Sequence, residues 1–82
     1  MDQPVRRDLE VVMDFDPGEG IADLDAHLDR LKAEAGSLGY DFDRHAARNE
    51  LQAATFGKKL AGKARVLLSP SGAIAIELKS CR

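Results

Sequence analysis

The sequence predicts a small α+β domain in which one amphipathic helix packs on a three- or four-stranded antiparallel sheet. Three patterns lead to this prediction. An early run alternates apolar and polar residues, the next segment repeats apolar residues at helical spacing, and two further alternating runs flank a short turn near the end. The predicted element order is β-α-β-β-β, a small open-faced sandwich that ends in a hairpin.

The first strand is predicted over residues 9–15. Leu9, Val11, Met13 and Phe15 are separated by single residues. Because successive side chains of a strand point to opposite faces, these four side chains would share one buried face. Residues 1–8 are mostly polar and contain a proline. We therefore expect a frayed N-terminus at 1–8 in a single domain that spans residues 1–82.

The helix is predicted to follow this strand. Asp16 precedes Pro17, and Glu19 lies three residues after Asp16, a pattern typical of a helix N-terminus, although two glycines nearby allow a later start. Gly39 suits the left-handed conformation that ends many helices. The apolar stripe between them is spaced by three and four residues and comprises Ile21, Leu24, Leu28, Leu31, Ala35 and Leu38. Because it is shorter than three heptads, we expect it to pack on the strands rather than in a coiled coil.

Residues 40–56 allow two structures. Residues 40–42 suit a short strand, and residues 43–54 are rich in helix-forming residues behind a suitable N-cap, Asp43, so a second helix is one alternative. The other alternative is a strand over Glu50–Phe56. Because Thr55, Phe56 and Gly57 are unsuitable residues for the end of a helix, the strand is the prediction that we prefer.

The C-terminal third predicts a β-hairpin. Residues 63–69 and 73–79 both alternate, and the turn residues Pro70, Ser71 and Gly72 lie between them. The two predicted buried rows are Ala64, Val66 and Leu68 in one strand and Ile74, Ile76 and Leu78 in the other. The hairpin would complete the sheet.

The composition excludes several classes of protein. With 44% hydrophobic and 32% charged residues among 82, the chain has the composition of a folded domain rather than of a disordered segment. The longest apolar run, residues 73–76, is too short for a membrane span or a secretory signal. One cysteine excludes an internal disulfide framework. These features predict a cytoplasmic location with no membrane contact.

The net charge of -2 conceals a strong division along the chain. The residues up to Asp43 include twelve acidic and four basic side chains, whereas the remainder includes eight basic and two acidic ones. Three interpretations are open. The two halves neutralise each other within the fold, or their fields steer association with a protein, or the basic half binds nucleic acid through phosphate contacts. The slight overall acidity disfavours nucleic acid.

The predicted partner-binding residues combine this charge with the sheet face that the helix leaves open. That face is predicted to carry Glu10, Val12, Asp14, Arg65, Leu67, Ala75 and Glu77. The electrostatic contacts are predicted at Lys58, Lys59, Lys63 and Arg65, and the apolar contacts at Val12, Leu67 and Ala75. The predicted function is a non-catalytic protein-interaction module that binds a protein partner, including a second copy of itself as a homodimer. The alternative is a nucleic-acid-binding module that contacts phosphates through the 57–65 basic loop.

Motifs that carry chemistry are incomplete in this sequence. Residues 57–63 match the first seven positions of a phosphate-binding P-loop, but Ala64 stands where the motif needs Ser or Thr, and a strand-like run follows instead of a helix. Residues 14–25 are acidic but lack the glycine and glutamate positions of a calcium loop.

Side chains suited to metal binding or nucleophilic catalysis are also few. His27, His45 and Cys81 lie too far apart for a ligand pair, and the serines lie in no recognisable nucleophile motif. We therefore predict no catalytic residue, no metal site and no cofactor, and we expect the chain not to be an enzyme.

Overall fold

Four strands and two helices form the fold in the computed structural model, which describes residues 7–80. In chain order they are β1 (Leu9–Asp16), β2 (Gly20–Ile21), α1 (Leu24–Leu38), α2 (Arg44–Thr55), β3 (Gly62–Leu68) and β4 (Ile74–Ser80). All neighbouring strands are antiparallel, in the order β2-β1-β3-β4. The predicted α+β class, the antiparallel sheet and the C-terminal hairpin are confirmed, with two helices on the sheet. The predictions for residues 1–6 and for Cys81 lie outside the described residues.

Asp16 ends β1 and does not begin a helix, contrary to the prediction. Its Oδ2 accepts hydrogen bonds from the backbone N–H groups of Gly18 and Glu19, both at 2.9 Å. Asp16 also pairs with Gly20 across a tight hairpin between β1 and β2. Turns and helix N-termini both expose backbone N–H groups, and an aspartate side chain can accept hydrogen bonds from them in either structure. The same residues therefore suit both.

Helix α1 packs on the sheet and not in a coiled coil, as predicted. The buried side chains of its stripe are Leu28, Leu31 and Ala35. Leu38, the last residue of the predicted stripe, is 52% exposed. Gly39 ends the helix as predicted, at φ 76°, and the N–H of Tyr40 donates to the carbonyl of Ala35 at 2.8 Å.

The strand that we preferred over residues 50–56 is wrong, because residues 50–55 belong to helix α2 and Phe56 is its C-cap. Asp43 caps the helix, with its Oδ1 accepting from the N–H of Ala46 at 3.1 Å. Ala47 and Leu51, one helical turn apart, are both fully buried. The hydroxyl of Thr55 donates to the carbonyl of Leu51 at 2.9 Å, so Thr55 bonds to the last turn of the helix, contrary to the prediction that it suits a helix end poorly.

The hairpin of β3 and β4 has the predicted turn and faces. Ala64, Val66 and Leu68 are completely buried, opposite Leu78, Ile76 and Ile74 respectively. The N–H of Ser69 donates to the carbonyl of Ala73 at 2.9 Å and closes the turn. This register places the apolar rows of both strands on the face below the helices.

The core lies between that face and the two helices. Every buried residue among residues 7–80 is hydrophobic or aromatic; the largest fully buried side chains are Met13, Leu28, Leu31, Leu51, Val66 and Leu68. Helix α1 lies over β1, and helix α2 lies against β4. Within residues 7–80, neither helix is long and apolar enough to cross a membrane. The opposite face of the sheet is left uncovered by the helices.

Candidate functional site

Salt bridges between the acidic and basic halves of the chain join the two helices. The guanidinium of Arg44 lies 2.9 Å from Asp29 Oδ1 and 3.1 Å from Asp25 Oδ1. Arg48 Nη1 lies 3.6 Å from the same Asp25 oxygen. Because these side chains are partly exposed, each pair stabilises the fold by no more than about 1 kcal/mol.

A second group of salt bridges lies on the open sheet face. Arg65, in the middle of β3, contacts Glu10 of β1 and lies 2.9 Å from Glu77 of β4. Hydrogen bonds to Glu10 and Glu77 raise the pKa of Arg65 above its ordinary value. Arg65 is therefore already shared by two carboxylates on this face.

Lys63 and Asp14 form the third contact between β1 and β3. Lys63 Nζ lies 2.5 Å from Asp14 Oδ1, and the two residues are directly opposed in the strand register. The hydrogen bond from Lys63, reinforced by its positive charge, lowers the pKa of Asp14 below its ordinary value.

We expect Lys63→Gln to raise the pKa of Asp14 towards its ordinary value. A carboxyl group whose pKa is lowered by folding stabilises the fold above its unfolded-state pKa, and this contribution is lost as the pH falls through the folded-state value. The stability advantage of the native chain over Lys63→Gln should therefore shrink in acid. An NMR titration of the Asp14 carboxyl carbon measures the shift, with Lys32→Gln on α1 as the control. An Asp14 pKa that is the same in Lys63→Gln and in the native chain would contradict this contact.

These contacts show that the two charged halves neutralise each other in part within one fold. Of the six salt bridges found among residues 7–80, only the Arg65–Glu77 pair lies within one half of the chain. The first of the three interpretations of the charge division therefore describes these residues.

A depression of about 330 Å³ lies at one end of the sheet, where the connection from α2 enters β3. We call it the basic depression. Four lysines line it, Lys58, Lys59, Lys63 and Lys79, together with the apolar side chains of Phe15, Leu60 and Leu78. It combines a concentration of positive charge with apolar surface.

Gly62 holds the edges of this depression close together. A Cβ atom at Gly62 would lie 2.1 Å from the carbonyl oxygen of Lys79, so β3 and β4 meet here at a distance that only glycine permits. Because β3 begins at Gly62, Lys63 belongs to a strand and not to a helix. The P-loop-like residues 57–63 thus lack the helix that a P-loop needs.

The predicted contact residues lie on two surfaces. Lys58 and Lys59 lie in the basic depression, and Lys63 lies where the depression borders the open sheet face, in the same row of β3 as Arg65. Arg65, Val12, Leu67 and Ala75 belong to rows of the open sheet face, where Leu67 is opposite Ala75 and Val12 is 45% exposed. Contact of these residues with a partner stays a prediction.

Lys79 was missing from the predicted set. It lies directly opposite Lys63 in the hairpin register, which brings it into the depression. The sequence contained a signal for this proximity, because the turn at residues 70–72 sets which residues of the two strands are paired.

His27 and His45 lie on different helices. His27 Nδ1 is buried and has no hydrogen-bond partner. Across residues 7–80, no group of three or more His, Cys, Asp or Glu side chains is placed to hold a metal ion.

One solved structure is similar to this chain over most of its length. It is a putative amino-acid aminotransferase from Mesorhizobium loti, and the match covers 92% of this chain with a TM-score of 0.82 and 27% sequence identity. The fold resembles one part of an aminotransferase. The match covers 36% of that chain, so this chain spans little more than a third of its length. No protein-family model matches the chain, and no curated protein matches it.

This similarity overturns the predicted function. A non-catalytic interaction module, with nucleic-acid binding as its alternative, is the wrong description of a chain whose fold and sequence match part of an enzyme. The charge argument behind it also weakens, because Lys63 and Arg65 are paired with carboxylates of the same chain. Since the match is partial, it does not by itself show that this chain is catalytic.

Proposed function

We propose that this chain is a domain of an enzyme that transfers an amino group from an amino acid, and that it forms one wall of the active site. The single observation that carries the proposal is the match to the Mesorhizobium loti aminotransferase. That match joins a TM-score of 0.82 with 27% identity across 92% of this chain. The agreement therefore extends over almost the whole fold and is not confined to one hairpin or helix.

The role of a single wall, rather than of a complete enzyme, is supported by two observations. The chain corresponds to 36% of the matching protein. In addition, the core of residues 7–80 is built from hydrophobic and aromatic residues, and the charged side chains lie outside it. Catalytic groups act most strongly in a cleft from which water is excluded. Further protein laid over the open sheet face would exclude water from the charged rows there.

A chimeric enzyme tests this proposal. In the Mesorhizobium loti protein, the segment that matches this chain would be replaced by residues 7–80. We expect the chimera to unfold cooperatively and to transfer an amino group to a 2-oxo acid, because the exchanged part supplies the same fold to the rest of the enzyme. The rate of amino-group transfer is measured for the chimera and for the parent protein with the same panel of amino acids.

The matched control is the same chimera carrying Leu51→Asp, which places a charge in the core and should abolish both cooperative unfolding and transfer. The proposal fails if the parent transfers amino groups and the chimera unfolds cooperatively without doing so.

A cytoplasmic location and association of two copies stay predictions from the sequence. Cell fractionation tests the first, and sedimentation at micromolar concentration tests the second. A stable monomer in sedimentation would argue against the homodimer.

A further inference from the structure

We propose that the basic depression binds a small organic anion that carries one carboxylate on an apolar body. This proposal is independent of amino transfer, because it concerns a surface that the 82-residue chain forms by itself. It rests on the charge of the depression, its apolar lining and its geometry.

The charge of the depression is unbalanced. Within the described part of the chain, no salt bridge is formed by Lys58, Lys59 or Lys79. Lys63 forms a salt bridge with Asp14. Lys63 and Lys79 are directly opposed on neighbouring strands, and like charges in this position repel each other. A bound anion would relieve this repulsion, so the depression favours negative ligands.

The apolar lining distinguishes an organic anion from an inorganic one. Leu60 is 61% exposed and supplies most of the apolar surface of the depression, which Leu78, partly buried, and Phe15, 8% exposed, extend inwards. Covering these side chains with an apolar ligand body removes hydrocarbon surface from water, which inorganic phosphate cannot do. A volume of about 330 Å³ is at the small end of the range for ligand sites in proteins.

The geometry of the strands gives the depression a fixed edge. The backbones of β3 and β4 meet at Gly62, where a Cβ atom would lie 2.1 Å from the Lys79 carbonyl oxygen. Lys63 and Lys79 therefore extend from a rigid hairpin, while Lys58 and Lys59 extend from the connection that follows α2. Strand alternation places the Lys63 and Lys79 side chains on the open sheet face. Positive charge therefore borders the apolar lining on that side and along the connection that follows α2, which suits a carboxylate at one end of the ligand.

The test is an NMR titration of the amide signals of the 82-residue chain with 4-methylpentanoate. We expect saturable shifts confined to residues 57–63 and 78–80. The uncharged 4-methylpentanamide should give no such shifts, because it lacks the carboxylate. Inorganic phosphate should bind at least about tenfold more weakly, because it lacks the apolar body.

Variants separate the two parts of the site. Replacing both Lys58 and Lys59 by Gln should weaken binding of 4-methylpentanoate at least about tenfold. Leu60→Ser should weaken binding of the carboxylate but leave the binding of phosphate unchanged. The matched control replaces Arg7 and Lys32 by Gln, which removes two charges from exposed positions outside the depression and should leave binding unchanged. All of these side chains are exposed, so the variants should keep the melting temperature of the native chain.

Three results would overturn the proposal. They are the absence of shifts, equal affinity for phosphate and 4-methylpentanoate, and shifts that follow lysines and arginines over the whole surface. Each of these leaves the chimeric enzyme experiment unaffected, so failure of this site and failure of the proposed function are distinguishable.

Discussion

We expect Leu51→Ala to lower the free energy of unfolding by about 2–5 kcal/mol, the usual cost of truncating a buried leucine. Leu51 is 0% exposed and lies in the core on helix α2. The substitution removes apolar contacts and leaves a cavity between the helix and the sheet. Urea unfolding followed by circular dichroism measures the loss. For a domain of this size, the loss is a large part of the total stability.

Two controls make this result specific to the core. Leu51→Met nearly conserves volume and should cost less than about 1.5 kcal/mol. Gln52→Ala, at the exposed neighbouring position, should change the stability by no more than about 0.5 kcal/mol. If Leu51→Ala and Gln52→Ala had equal effects, the placement of Leu51 below the helix would be wrong.

The second large effect is expected for Gly62→Ala, which should destabilise the fold by about 1–3 kcal/mol. The new methyl group would lie 2.1 Å from the carbonyl oxygen of Lys79 and 2.9 Å from its carbonyl carbon. Both atoms belong to the backbone of β4, so the hairpin must shift to accommodate the methyl group. Thermal unfolding measures the loss, and the amide shifts of β3 and β4 should report the movement.

Gly36→Ala is the matched control for this substitution. Gly36 lies inside helix α1, and an added Cβ would meet no atom within 4 Å beyond its two chain neighbours and the backbone of its own helix. Alanine should stabilise the helix by about 0.5–1 kcal/mol, because glycine loses more backbone freedom on folding. The two glycines should thus respond in opposite directions. A Gly62→Ala variant as stable as the native chain would show that β3 and β4 do not approach so closely at Lys79.

Much of the fold could be predicted because several elements have a local pattern that agrees with their final environment. The alternation in β1 and in the hairpin strands identified the buried rows, and Gly39 marked the end of α1. These signals lie within one element, and tertiary contacts reinforce them instead of opposing them.

Residues 16–21 and 44–55 show where local patterns were insufficient. Asp16 accepts hydrogen bonds from backbone N–H groups in a hairpin turn, just as it would at a helix N-terminus. A strand over residues 50–56 was preferred because Thr55, Phe56 and Gly57 suit the end of a helix poorly. Burial of Ala47 and Leu51 on the sheet favours the helix instead. Whether each segment forms a helix or a strand depends on the apolar surface against which it can pack. That surface is formed by parts of the chain that are distant in sequence.

The candidate site shows the same division. The sequence alone determined that the basic residues follow Asp43 and that Lys58, Lys59 and Lys63 are close in the chain. Only the tertiary structure decided which of the basic residues form salt bridges among residues 7–80, because β1 brings Asp14 to Lys63 and Glu10 to Arg65. It also placed Lys79 beside Lys63 through the hairpin register. Charge is a property of residues, whereas neutralisation depends on distances that only strand pairing and helix packing create.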